Sequence, residues 1–226
     1  MEGVVRSEAE LLARAKRLGG RRIVEVAEAH GVPLPPSPSR AKGFVGRLTE
    51  RALGLGETGP VDVMELGVEV KTLPVGAAGR PRESTFVCHA SLAAADERWE
   101  TSRVRHKTAR ILFVTVRTDV APGERVFGAS WVWSPSCEEE AILRTDWEEL
   151  TLAIQRGDVE RIDARIGRAL QLRPKGNDAS ARTRAYDADG APFLTQPKAF
   201  YLRRGFTQAL VEARGLLAPS SATGRA

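Results

Sequence analysis

Residues 111–117, Ile-Leu-Phe-Val-Thr-Val-Arg, limit most strongly what this chain can become. A strand that is apolar on alternate residues rests one face on a core, whereas one apolar along nearly its whole length is covered on both faces. The run is also too short for a bilayer, which takes roughly 18 or more apolar residues, and no other stretch approaches that length. A sheet covered by other elements is therefore required. Further extended segments fall at STFVCHA (84–90), ERVFGASWVWS (124–134), RALQLRP (168–174) and AFYLRR (199–204). Val61 to Val75 reads as two extended pieces joined by a tight turn at Glu65 to Gly67.

Helices are predicted between these strands. Ser7 with Glu10 forms a capping box, followed by Leu11, Ala15 and Leu18 at helical spacing and a stop at Gly19–Gly20. Arg22 to His30 reads as a second helix, the four prolines of 31–43 as a loop, and FVGRLTERALG as a helix that carries Glu50 and closes at Gly54. ERWETSRVRHKTAR (97–110) is helical at least in part. Ser136 and Glu139 cap a helix from about Cys137 to Gln155, with Ile142, Trp147, Leu150 and Ile154 toward the core. Residues 175–192 read as a polar loop, Thr207 to Gly215 as a last helix, and 218–226 as a disordered tail. Strands and helices mix without strict alternation, so the expected fold class is α/β, a mixed sheet flanked by helices in a single domain, residues 1–226.

Composition removes several function classes. The first twenty residues carry an acidic second position and no apolar segment before a small-residue cleavage site, so the chain is expected to stay in the cytoplasm. Two cysteines and three histidines at no ligand spacing exclude a disulfide scaffold and a zinc finger. A net charge of +5 points only weakly to nucleic acid. The kind of base is more telling, because only six of the 34 basic residues are lysines, at 16, 42, 71, 107, 175 and 198. Arginine is a permanently charged fork and lysine a compact charge, so a chain this rich in arginine keeps lysine where the fork does not serve.

The sharpest local feature is DVMELGVEVK, in which Asp62 opens one extended piece while Glu69 and Lys71 stand two apart on the next. Side chains two apart on a strand share a face. If the turn folds the pieces together, Asp62 and Glu69 can hold one hard divalent cation, and magnesium suits such oxygen ligands. The cation would polarise a scissile phosphate and activate water, and Lys71 would offset charge growing in the transition state. The pair alone is better explained by an exposed strand face of mixed charge; Asp62 across the turn and Glu50 on the preceding helix tilt the reading toward a site. Cys88 and His89, being adjacent on a strand, point to opposite faces and do not form a nucleophile pair. VGAAGR lacks the lysine and hydroxyl of a phosphate-binding loop. Trp99, Trp131, Trp133 and Trp147 read as packing, and the acidic EEEAILRTDWEEL is expected to face away from any duplex.

Taken in order, KGFVGRLTE, LGVEVKTLPV, GRPRESTFVC, WETSRVRHK, WVWSP, DWEEL, VERIDARIG, LQLRPK and FYLRRGFTQAL resemble the MutH/Sau3AI family of type II restriction-endonuclease-like nucleases, from about Glu8 to Leu217. The resemblance implies a restriction-endonuclease-like fold of two lobes around a DNA cleft. It implies that Asp62, Glu69 and Lys71 form the metal-binding and catalytic set, with Glu50 and Lys107 supporting catalysis and Asp62 and Glu69 as magnesium ligands. It places Lys42 and Phe86 at the DNA face, and Arg173, Pro174, Lys175 and Tyr201 where base edges and adenine methylation are read. From sequence alone, Phe86 is equally a buried strand aromatic.

The activity so implied is magnesium-dependent nicking of the unmethylated strand at hemimethylated GATC in mismatch repair, with activation by MutL, itself recruited by MutS. FTQALVEAR would be the docking helix. Two alternatives stand beside it: a Sau3AI-like nuclease cutting both strands, and a methylation-sensitive DNA-binding module that does not cut. The proline-rich segment after His30, the segment LAAADE and the tail depart from the family pattern.

Overall fold

The computed structural model describes residues 5–35, 43–55, 66–93, 97–162, 165–176 and 178–217. Within them the secondary structure is α1 (Glu8–Leu18), α2 (Ile23–Ala29), α3 (Phe44–Ala52), β1 (Glu69–Val75), β2 (Thr85–His89), α4 (Arg103–Thr108), β3 (Ile111–Arg117), β4 (Phe127–Trp133), α5 (Cys137–Gln155), β5 (Leu170–Pro174), β6 (Thr183–Tyr186), β7 (Pro192–Thr195), β8 (Lys198–Leu202) and α6 (Arg204–Glu212). The chain forms two compact units. The first takes Met1–Arg82, Arg110–Trp133 and Gln208–Ala226, and the second Glu83–Ala109 and Ser134–Thr207.

The first unit is built on a three-stranded sheet in the order β1-β3-β4. β1 runs parallel to β3, pairing Glu69 with Ile111 and Lys71 with Phe113, and β3 runs antiparallel to β4. The apolar run of β3 is the central strand, and Ile111, Leu112, Phe113, Val114 and Val116 are all buried. One core gathers Leu11, Ala15 and Leu18 of α1, Val26 of α2, Leu48 of α3, Val70 of β1 and Leu112 and Val114 of β3. Burying each large apolar side chain contributes about 1.5–3 kcal/mol. Helix α1 is capped as its sequence predicts, Ser7 Oγ accepting from the Glu10 amide at 3.2 Å. The reciprocal bond of the box goes one residue further back, to the Arg6 amide at 3.0 Å. Glu8, at the helix start, pairs with Arg110 in the residue pair before β3, and the Arg110 guanidinium holds the Glu8 carboxyl below its usual range.

The second unit holds an antiparallel sheet in the order β2-β8-β5 and a separate β6-β7 hairpin. Among the described residues the expected mixed sheet is β1-β3-β4, and it is one of three small sheets, the other two being antiparallel. The hairpin also corrects the polar loop expected at 175–192. Its strands pair Thr183 with Thr195 and Tyr186 with Pro192, across a turn in which Asp187 Oδ1 accepts from the Asp189 and Ala191 amides at 3.0 and 2.8 Å. A ribbon that buries only Ala185 and Thr195 fully leaves little hydrophobic alternation to read.

Helix α5 has the predicted capping box, but its buried face is Leu143, Asp146, Trp147, Leu150 and Ile154. Ile142, expected in the core, is half-buried, because the stripe at 143, 147, 150 and 154 leaves it on the flank. Asp146, within the acidic segment EEEAILRTDWEEL, is buried. Helix α6 starts at Arg204, ahead of the predicted Thr207. All four tryptophans are buried. The loop after Val32 is described only as far as residue 35, and the tail 218–226 lies outside the described residues. No helix among the described residues is long and apolar enough to cross a membrane.

Candidate functional site

In the first unit, the turn at Leu66–Gly67 leads into β1, and Gly67 takes a φ of +61° that favours glycine. Glu69 then opens the strand, its amide donating to Arg110 O at 2.9 Å. As period two requires, Glu69 and Lys71 share a face, and their side chains, 8% and 17% exposed, form an ion pair. This decides against the exposed mixed-charge face, since a solvated strand would leave both in water. Helix α3 packs against β1, which sets the half-buried Glu50 on the element beside that strand.

The far end of α3 is held by a residue the sequence reading missed. Arg14 of α1 is 5% exposed, and its Nη1 donates to the carbonyl of Leu53 at 3.0 Å, while its Nη2 reaches Glu10 Oε1 at 2.5 Å. A buried guanidinium thus satisfies a carbonyl that a helix end leaves over. The available signal was an arginine at the i, i+3, i+4 position of an otherwise apolar helix face.

Asp62, Glu65 and Lys42 lie outside the described residues. Among the described residues, no three histidine, cysteine, aspartate or glutamate side chains form a metal-binding group. Glu69 nevertheless has the chemistry magnesium takes: a buried carboxylate, fixed at a strand start, with an ammonium balancing its charge.

In the second unit, the sheet brings most of the expected DNA-facing residues together. Phe86 of β2 is in register with Tyr201 of β8, and Tyr201 with Gln171 of β5. The Phe86 and Tyr201 rings meet edge to face at 5.6 Å, and His89 meets Phe86 the same way at 5.4 Å. Lys175 Nζ stands 5.3 Å from the Phe86 ring centroid, and the Arg173 guanidinium 5.7 Å from that of Tyr201. Arg173 is steadied by a bond from Nη1 to Ser84 Oγ at 2.7 Å. Arg173 and Pro174 are exposed, and Lys175, Phe86 and Tyr201 half-buried. Phe86 is therefore not a fully buried strand aromatic.

Burial pushes the Tyr201 hydroxyl above its ordinary range; Arg173 opposes that shift and Glu83 adds to it. It remains a protonated donor at neutral pH. Ser84 and His89 were missed because a neighbouring serine and an adjacent histidine carry no pattern of their own. Cys88 is buried and His89 exposed, as opposite faces require.

Lys107 stands half-buried on α4. That six-residue helix is capped by Ser102 Oγ, which accepts from the Arg105 amide at 3.0 Å. It is tied to α5 by Arg105 Nε to Glu140 Oε1 at 2.8 Å, and Arg105 holds the Glu140 carboxyl below its usual range.

Residues 55–146 match the family described as DNA mismatch repair enzyme MutH. Over 216 residues, the chain is 49% identical to the DNA mismatch repair proteins MutH of Salmonella paratyphi B, Salmonella typhimurium and Salmonella typhi, covering 93% of this chain and 94% of each relative.

Proposed function

The chain belongs to the MutH family, an endodeoxyribonuclease of DNA mismatch repair, and we propose that it nicks the unmethylated strand of duplex DNA at hemimethylated GATC in a magnesium-dependent reaction. The observation that carries this reading is the ion pair of the buried Glu69 with the half-buried Lys71 on one strand face. Glu69, with Asp62, would hold the magnesium ion, which when bound polarises the phosphate. Lys71, held beside Glu69 on the same strand face, offsets the negative charge that grows on the phosphate oxygens as the bond to water forms. Glu50 and Lys107 support the same phosphate.

Sequence is read by the β2-β8-β5 face. Arg173 and Lys175 supply donors for purine acceptors in the major groove. Tyr201 and Phe86 give an aromatic surface against which an N6-methyl group is excluded, and Lys42 and Pro174 belong to the same DNA-facing set. The restriction-endonuclease-like arrangement of two lobes around a DNA cleft, activation by MutL and recruitment through MutS are parts of the same proposal.

The test is a strand-specific nicking assay on a hemimethylated GATC duplex in magnesium, with and without MutL, for the parent and Glu69→Ala. Nicking of the unmethylated strand that MutL accelerates and Glu69→Ala abolishes is the expected result. Rapid double-strand cutting without MutL would replace it with a restriction activity. Tight methylation-sensitive binding with no cleavage by the parent would make the protein a binding module.

A further inference from the structure

Asp146 is a buried acidic residue of the second unit, and no part of the proposed chemistry uses it. It sits on the inner face of α5, 3% exposed. Oδ1 accepts from the Arg168 amide at 2.9 Å, and Oδ2 accepts from the amides of Arg168, Ala169 and Leu170 at 2.9, 2.6 and 2.7 Å. Three successive backbone N–H groups converging on one carboxylate make a nest of the kind that binds anions. Gly167 shapes it: its φ of +86° turns the chain into the nest, and a Cβ there would run into Leu170 O and stand 3.2 Å from Asp146 Cγ.

The nest lies at the root of the strand that carries the reading residues. Leu170 is the first residue of β5, Arg173 and Pro174 end it, and Lys175 follows. Cross-strand hydrogen bonds to β8 pair Gln171 with Tyr201 and Arg173 with Ala199. A ladder of that kind repeats along the strand, and a slip of one residue would turn every side chain to the opposite face. An apolar residue at 146 would pack α5 against β5 without marking any position along it. A carboxylate held by three particular amides does mark one, because the bonds form only when residues 168–170 lie opposite it.

We propose that Asp146 is a positioning residue for sequence discrimination: by fixing where β5 begins on α5, it fixes where Arg173 and Lys175 are presented. The inference rests on the reading of the β2-β8-β5 face as the DNA reader.

The experiment is internal competition. One tube holds a GATC duplex and a one-base variant, and the ratio of their cleavage rates is read for the parent, Asp146→Asn, Gly167→Ala and Leu143→Ala. Because both substrates meet the same enzyme, the ratio is independent of how much of it is folded, so a merely structural loss leaves it unchanged. Asp146→Asn replaces one acceptor oxygen by a donor facing amides, and Gly167→Ala disturbs the nest from the other side. Each is expected to lower the ratio about 10-fold or more, while Leu143→Ala, a cavity on the same helix, keeps it.

A parent that prefers GATC and an Asp146→Asn protein that keeps the parental ratio would overturn the inference alone. Equal losses in Asp146→Asn and Leu143→Ala would overturn it too, by reducing the effect to general loosening. If Asp146→Asn fails to fold, Gly167→Ala decides by the same criterion. A parent without preference for GATC overturns the functional reading and this inference with it.

Discussion

Replacing Arg14 by methionine isolates what a buried guanidinium does for the helix that carries Glu50. Methionine keeps an unbranched stem in the same space and removes only the charged fork. The bonds lost include the buried one from Nη1 to Leu53 O, 3.0 Å long, and the part-buried one from Nη2 to Glu10 Oε1. A hydrogen bond from a charged donor contributes about 1.5–3 kcal/mol. Removing the guanidinium also removes its own desolvation cost, which returns part of that sum and leaves an expected loss of about 2 kcal/mol. With a urea m value of about 2–3 kcal/mol/M, the unfolding midpoint should fall by roughly 0.7–1 M.

Two companions locate the energy. Arg14→Lys keeps the charge but not the fork and should fall between parent and Arg14→Met. Glu10→Gln removes only the exposed partner, whose attraction is screened by water, and should move the midpoint far less. Equal shifts for Glu10→Gln and Arg14→Met would place the energy in the ion pair and refute the carbonyl argument. So would an unchanged midpoint for Arg14→Met. In nicking assays Arg14→Met should lose more activity than its loss of folded protein explains, because the tether at the end of α3 is gone.

Glu69→Gln should lower the nicking rate at least about 100-fold, since changes one layer further from a metal already cost 10–100-fold; parental rates would remove Glu69 from the mechanism. Glu8 has a folded pKa held below its ordinary value of 4.5 by Arg110, so its stabilisation is complete above that value and is lost as pH falls through the folded one. Glu8→Gln should therefore lower the urea midpoint at neutral pH, and the difference from the parent should vanish in acid; a difference constant with pH would contradict the electrostatic origin. Cys137 is exposed and Cys88 buried, so a thiol reagent should add one group to the native protein, at Cys137, and a second only on unfolding, as mass spectrometry would show. Rapid double labelling of native protein would contradict the burial of β2.

Much of the fold was legible because its causes are local. Serine caps at 7, 102 and 136 sit where the first free amides of α1, α4 and α5 need an acceptor, although only the first and third stood out by their glutamate partners. The apolar run of β3 required cover on both faces and has it. The shared face of Glu69 and Lys71 followed from strand periodicity. The β6-β7 hairpin was missed because its polar strands bury too little to leave an alternating pattern. The burial of Asp146 was not legible, because a charged residue among glutamates carries no local sign of the amides it meets.

What the amino-acid order determined by itself is thus the set of elements and the candidate chemistry on them, since capping, periodicity and turn preference act across a few neighbouring residues. Tertiary structure decided which charges are buried and what they hold. Asp146 meets amides 22 to 24 residues away, and Arg14 a carbonyl 39 residues away. A charge leaves water only when such distant donors or acceptors converge on it, and that convergence is a property of the packed chain, not of any short segment.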